Sequence, residues 1–90
     1  MGETKPRIER PALKSAIVGG VPIEIFESRT TRWLFDRTRK CFLRLPTQVA
    51  VDASVLGLRW TAYQGLDLNG RDALVTLDAA GTRRLRAAAA

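Results

Sequence analysis

From Val21 to Leu45 apolar and polar positions alternate in three short runs, VPIEIFE, TRWLFD and KCFLRL, parted by SRT and by RTR. Each run is too short for a stable helix, and period-two alternation between turn-forming residues predicts a β-meander. Its strands are Val21 to Glu27, Thr31 to Asp36 and Lys40 to Leu45, the last stopped by Pro46. Pro22 donates no ladder hydrogen bond, so the first of these begins at an edge or a strand end. Read at period 3.6, residues 31–45 offer Leu34, Cys41, Phe42 and Leu45 as one side of a basic helix. That side lacks an apolar residue near Thr38, and the meander is the stronger reading.

The turn after Asp36 decides which side chains share a face. An odd number of loop residues puts Trp33 with Cys41, Leu43 and Leu45; an even number puts it with Phe42, because a one-residue slip exchanges faces. The odd count is expected here, since it joins Ile23, Ile25, Trp33, Phe35, Cys41 and Leu43 into one apolar surface. Phe26, Leu34 and Phe42 then form a narrower stripe on the other face, bordered by Glu24, Arg32, Lys40 and Arg44.

Beyond the meander the pattern weakens. Ala16 to Val18 reads as a short edge strand ended by Gly19-Gly20. Thr47 to Gly57 alternates at Val49, Val51 and Ala53, then loses its period, and reads as a strand or a loop with a helical turn; Leu58 to Tyr63 reads as a strand around Trp60. Asn69-Gly70 signals a turn with positive φ at its centre. Asp78-Ala79-Ala80-Gly81 closes a hairpin between Ala73–Leu77 and Thr82–Arg86. The fold expected is all-β: one small antiparallel meander of five to six strands, either a curled sheet or a small open barrel. Residues 1–15 mix both charges with Pro6 and Pro11 and read as a flexible arm. Residues 16–86 make the β domain and 87–90 a flexible tail.

Ninety residues bound the core tightly, since a domain this small buries only about 60% of its unfolded surface. All six aromatic residues lie between Phe26 and Tyr63, which places the packing centre there. No stretch approaches the ~20 apolar residues of a membrane span, and no signal-peptide core is present. Cys41 is the sole cysteine and there is no histidine, so neither an internal disulfide nor a zinc site is expected. A reducing, cytoplasmic setting follows.

The formal charge of +6 is concentrated in the meander. Within residues 28–44, Arg29, Arg32, Arg37, Arg39, Lys40 and Arg44 stand against the single acid Asp36, a net charge of +5. Twelve of the fifteen basic residues are arginine, a bias that GC-rich bacterial codon usage also produces. The charge therefore implies attraction to anionic surfaces without naming a partner.

The chemistry available is narrow. The commonest general base is missing, and no nucleophile elbow, glycine-rich phosphate loop or paired-carboxylate spacing occurs, so no enzyme, cofactor, metal or small-molecule substrate is expected. Cys41 lies near Arg39, Lys40 and Arg44, which favour a thiolate, but a lone cysteine more often packs as a small hydrophobe. The expected function is a non-catalytic interaction module docking on a protein, or on itself as a homodimer, through a sheet face or edge. Phe26, Leu34 and Phe42 would be its anchors and Arg32, Lys40 and Arg44 its rim. The alternative is a nucleic-acid-binding β-domain that sets Arg29, Arg37, Arg39, Arg83, Arg84 and Arg86 on phosphates.

Overall fold

A computed structural model describes residues 12–89. They form eight strands and one short 3-10 helix: β1 (Leu13–Val18), β2 (Val21–Glu27), β3 (Thr31–Asp36), β4 (Cys41–Pro46), the 3-10 helix (Ala53–Gly57), β5 (Thr61–Ala62), β6 (Gly65–Leu68), β7 (Asp72–Thr76) and β8 (Arg84–Ala88). The all-β expectation holds, but the strands divide into two antiparallel sheets, β1-β2-β3-β4-β5 and β6-β7-β8, rather than one meander of five or six. The sheets stack and do not close into a barrel. Residues 13–15 and 87–88 belong to these sheets, not to an arm and a tail. Residues 1–11 of the expected arm and Ala90 lie outside the described residues.

Turn chemistry sets the register. Gly19 and Gly20, at φ 56° and 83°, link β1 to β2 as a two-residue turn whose central positions both need positive φ. Between β2 and β3 the Ser28 N–H and hydroxyl both donate to the Thr31 carbonyl, leaving Arg29 and Thr30 at the tip. Between β3 and β4 the Asp36 carboxylate accepts the N–H groups of Thr38 and Arg39, each at 3.1 Å, and Lys40 takes the left-handed conformation at φ 54°. Asp36 pairs directly with Cys41, so this loop holds four residues.

That even count overturns the expected faces. Ile25, Leu34 and Leu43 stand in one cross-strand row; Phe26, Trp33 and Arg44 stand in the next. Ile23 and Ile25 therefore share a face with Leu34 and Leu45, while Trp33 and Phe35 join Phe26 and Phe42 on the other. The strands carry large apolar groups on both sides, so alternation alone admits either register. The capped four-residue loop selects one.

Each face has its own cover. The second sheet lays Ala73, Val75 and Ala87, with Leu66, Leu68 and Leu85, over the aromatic face of Phe26, Trp33, Phe35, Phe42 and Tyr63. Trp33 and Phe42 stack with ring centroids 5.9 Å apart, and Tyr63 meets Phe35 edge-on. The segment 47–60 covers the aliphatic face, inserting Val55 among Ile23, Ile25, Leu34 and Leu45. Asp52 caps its 3-10 helix by accepting the Ser54 N–H at 2.9 Å, and the Trp60 indole donates to the Val55 carbonyl at 3.0 Å. Trp60 thus serves the cover; only Thr61–Ala62 of the strand expected around it forms.

In the second sheet Asn69 acts through its side chain, not through a positive-φ pair. Its oxygen accepts the N–H groups of Arg71 and Asp72 at 2.7 and 2.9 Å, and Gly70 is absent from the positive-φ residues. Gly81 at φ 75° turns the β7–β8 hairpin as its sequence predicts, with Asp78 accepting from the Thr82 N–H, the Thr82 hydroxyl and the Arg83 N–H.

Candidate docking edge

The expected anchors are interior residues. Phe26 and Leu34 are fully buried and Phe42 nearly so, Phe26 and Phe42 under the second sheet and Leu34 on the opposite face under residues 47–60. They do not form one stripe, because the even register separates Leu34 from the two phenylalanines. Nor do the rim residues gather around them. Arg32 donates to Glu27 at 2.8 Å and to the Val49 carbonyl at 2.9 Å, fastening the cover to the sheet. Arg44 lies over the Trp33 ring, 5.4 Å from its centroid, and Lys40 sits in the β3–β4 turn.

The arginines of the nucleic-acid alternative are spread out and several have acidic neighbours. Arg29 is at one end of β3 and Arg37 and Arg39 are at the other, roughly 20 Å away along six residues of strand. Arg37 donates to Glu24, Arg39 lies 4.0 Å from Asp36 and Arg86 lies 3.6 Å from Asp72. Arg84 donates to the Gly81 carbonyl at 2.9 Å, and Arg83 is exposed beside it. The Arg37–Lys40 turn keeps three basic side chains together; the full set does not make one continuous surface.

Cys41 is half-buried, and burial, followed by the neighbouring Asp36 charge, raises its thiol pKa above the usual value in spite of Arg39. Burial is also the chief cause of the raised Tyr63 phenol, which Arg37 partly offsets. Among the described residues no group of three His, Cys, Asp or Glu side chains is placed to hold a metal ion.

With both faces of the first sheet covered, its open surface is the β1 edge. The Glu27 N–H donates to the Ala12 carbonyl at 2.8 Å. Bonded and non-bonded pairs alternate along an antiparallel ladder, so Ala12, Lys14, Ala16 and Val18 turn their backbone groups toward β2. Leu13, Ser15 and Ile17 turn theirs outward, where no strand pairs with them among the described residues. Native edges are blunted by charge, proline, bulges or brevity. β1 is six residues long, pairs without interruption and bears one charge, Lys14.

The other edges are guarded. β5 has two residues, β6 has four with Asp67 among them, and β8 carries Arg84 and Arg86. Ile17, 71% exposed, is the most exposed large apolar side chain described. It borders an open groove of about 450 Å³, shared with Ser15, Pro22, Glu24, Phe35 and Arg37, at the end of the aromatic face. On the opposite face a second open groove of about 530 Å³ brings Lys14 beside Arg32, Val51 and Asp52.

The sequence signal for this edge was the Ala16–Val18 run before Gly19-Gly20. It fell short because Leu13 to Ser15 gain strand structure only by pairing with Phe26, Ile25 and Glu24. No protein-family model, curated protein or solved structure matches the chain.

Proposed function

We propose that this chain is a non-catalytic interaction module of the reducing cytoplasm, which docks by adding a strand to its β1 edge. The observation that carries this reading is a six-residue, nearly uncharged edge whose outward backbone groups at Leu13, Ser15 and Ile17 stand beside an exposed isoleucine. In strand addition the main-chain hydrogen bonds supply affinity and alternate side-chain pockets supply selectivity. Here the Ile17 groove offers an apolar pocket on one face and the Lys14 groove a polar one on the other. Absence of a histidine and of a paired-carboxylate arrangement supports the non-catalytic part of the reading.

Ser15→Pro tests it, because it deletes an outward N–H and leaves the β1–β2 ladder donors in place. Immobilised wild-type and Ser15→Pro chains are exposed to lysate of the source organism at low and high salt. A protein held by the wild type and released by Ser15→Pro supports the reading; equal retention by both overturns it, as does no retention by a chain that is also monomeric. Nucleic acid held at low salt by both chains and shed at high salt would instead favour phosphate binding by the arginines.

A further inference from the structure

We infer that the occupant of the β1 edge is a second copy of this chain, paired antiparallel about a two-fold axis through Ser15, so that the two five-stranded sheets join into one. This rests on the reading of β1 as the docking edge and goes beyond it by naming partner and register.

The register follows from symmetry. A two-fold axis perpendicular to the sheet continues each face into the same face of the other copy, so residues facing each other must come from one face of the strand. The outward-bonding residues Leu13, Ser15 and Ile17 are evenly spaced around Ser15. Centring the axis there sets Leu13 opposite the partner's Ile17, Ser15 opposite the partner's Ser15, and Ile17 opposite the partner's Leu13. Every outward N–H and C=O of the strand then has an acceptor or a donor, two bonds to each facing pair. Shifting the axis to Ala16 leaves the Leu13 groups facing the Gly19 turn, and shifting it to Lys14 sets the two lysines directly opposite each other.

The side chains agree with that register. Ile17, the exposed residue, gains Leu13 as an apolar cross-strand neighbour, the kind of contact that stabilises strand pairs. Lys14 faces Ala16 and never another Lys14 directly; the two lysines lie on a diagonal and extend toward solvent. On β8 the outward-bonding residues are Arg84, Arg86 and Ala88, so the same operation, centred on Arg86, would set Arg86 directly opposite the partner's Arg86. Like charges directly opposite are destabilising, which leaves β1 as the edge suited to self-pairing. Contact through one strand is small beside the roughly 1,200 Å² at the lower end of stable interfaces, so the dimer is a weak, concentration-dependent one. With a formal charge of +6 on each copy, added salt tightens it, the opposite of phosphate binding.

Sedimentation velocity of the full chain between about 5 and 300 µM, at low and high salt, tests the inference. The expected result is a shift from monomer toward twice the monomer mass as concentration rises, more complete at high salt, and a monomer throughout for Ser15→Pro and for Ile17→Lys. Circular dichroism confirms that both variants keep their strands. In a Cys41→Ser background, Ser15→Cys closes an intermolecular disulfide on mild oxidation, since facing residues of a bonded pair have Cα atoms about 5.5 Å apart. Ile17→Cys, whose copies lie four residues apart along the strands, stays unlinked. A monomer at the highest concentration in both salts, or a dimer unaffected by Ser15→Pro, overturns the inference. If the chain is monomeric while a lysate protein still requires an intact Ser15, the second copy fails and the docking edge stands; if neither is seen, both fall.

Discussion

Replacing Leu34 by alanine tests the even register directly. Leu34 is fully buried among Ile23, Ile25, Leu45 and Val55, beneath the 47–60 cover. The substitution removes the equivalent of three methylene groups at about 0.8 kcal/mol each, roughly 2.4 kcal/mol of transfer free energy. The void adds to this, because the site is closed by β-strands on one side and a capped 3-10 turn on the other, neither free to collapse. A total near 3 to 4 kcal/mol is expected, within the usual range for a buried leucine. Domains of this size have on the order of 5 to 10 kcal/mol in all, so the variant loses a large share of its stability. Urea titration followed by tryptophan fluorescence and circular dichroism reads the change. At an m-value of roughly 1.5 kcal/mol/M the midpoint falls by about 2 M. Trp33 and Trp60 report the two faces of the first sheet, and their transitions coincide if the two cores unfold together. A loss under about 0.5 kcal/mol, normal for a surface leucine, would refute burial of Leu34 and the register with it.

Other expectations follow from the same packing. Phe42→Asp puts an unpaired carboxylate between the sheets and should abolish folding, seen as loss of near-ultraviolet dichroism; a folded, soluble variant would place Phe42 outside the core. Gly19→Ala should destabilise more than Gly20→Ala in urea titrations, because its Cβ would come within 2.7 Å of Leu56 and 3.2 Å of Ala53, whereas Gly20 opens to free space. Cys41, with its pKa raised, should react with a thiol reagent more slowly in the native state than in denaturant at mildly alkaline pH; equal rates would contradict its half-buried setting. Asp78 is held below the usual carboxylate range by the Thr82 hydroxyl and the Arg83 N–H. Its contribution to the β7–β8 turn is therefore present at neutral pH and lost only as pH falls through that lowered pKa. Carboxyl chemical shifts titrating at the value of free aspartate would count against the capped turn.

Much of the fold was legible from local chemistry. Val21–Glu27 and Thr31–Asp36 form strands with the expected bounds, and β4 differs only at its ends. Asp36 and Asp78 begin their turns because a carboxylate that accepts the following N–H groups needs nothing from the rest of the chain. Faces and partners were not legible. Phe26, Leu34 and Phe42 read as one stripe so long as an odd loop was assumed, and period-two alternation has no preference when both faces of a strand are apolar.

Composition and alternation by themselves determined an all-β chain with its aromatic centre between Phe26 and Tyr63, since strand propensity and turn capping act over a few residues. Tertiary structure alone decided that the strands divide into two stacked sheets, that Leu34 and Phe42 go to opposite cores, and that residues 47–60 become a lid. It also decided that, among the described residues, Leu13–Val18 is an edge strand. Each of these depends on which distant segment arrives to cover a face, a free-energy difference summed over contacts far apart in sequence.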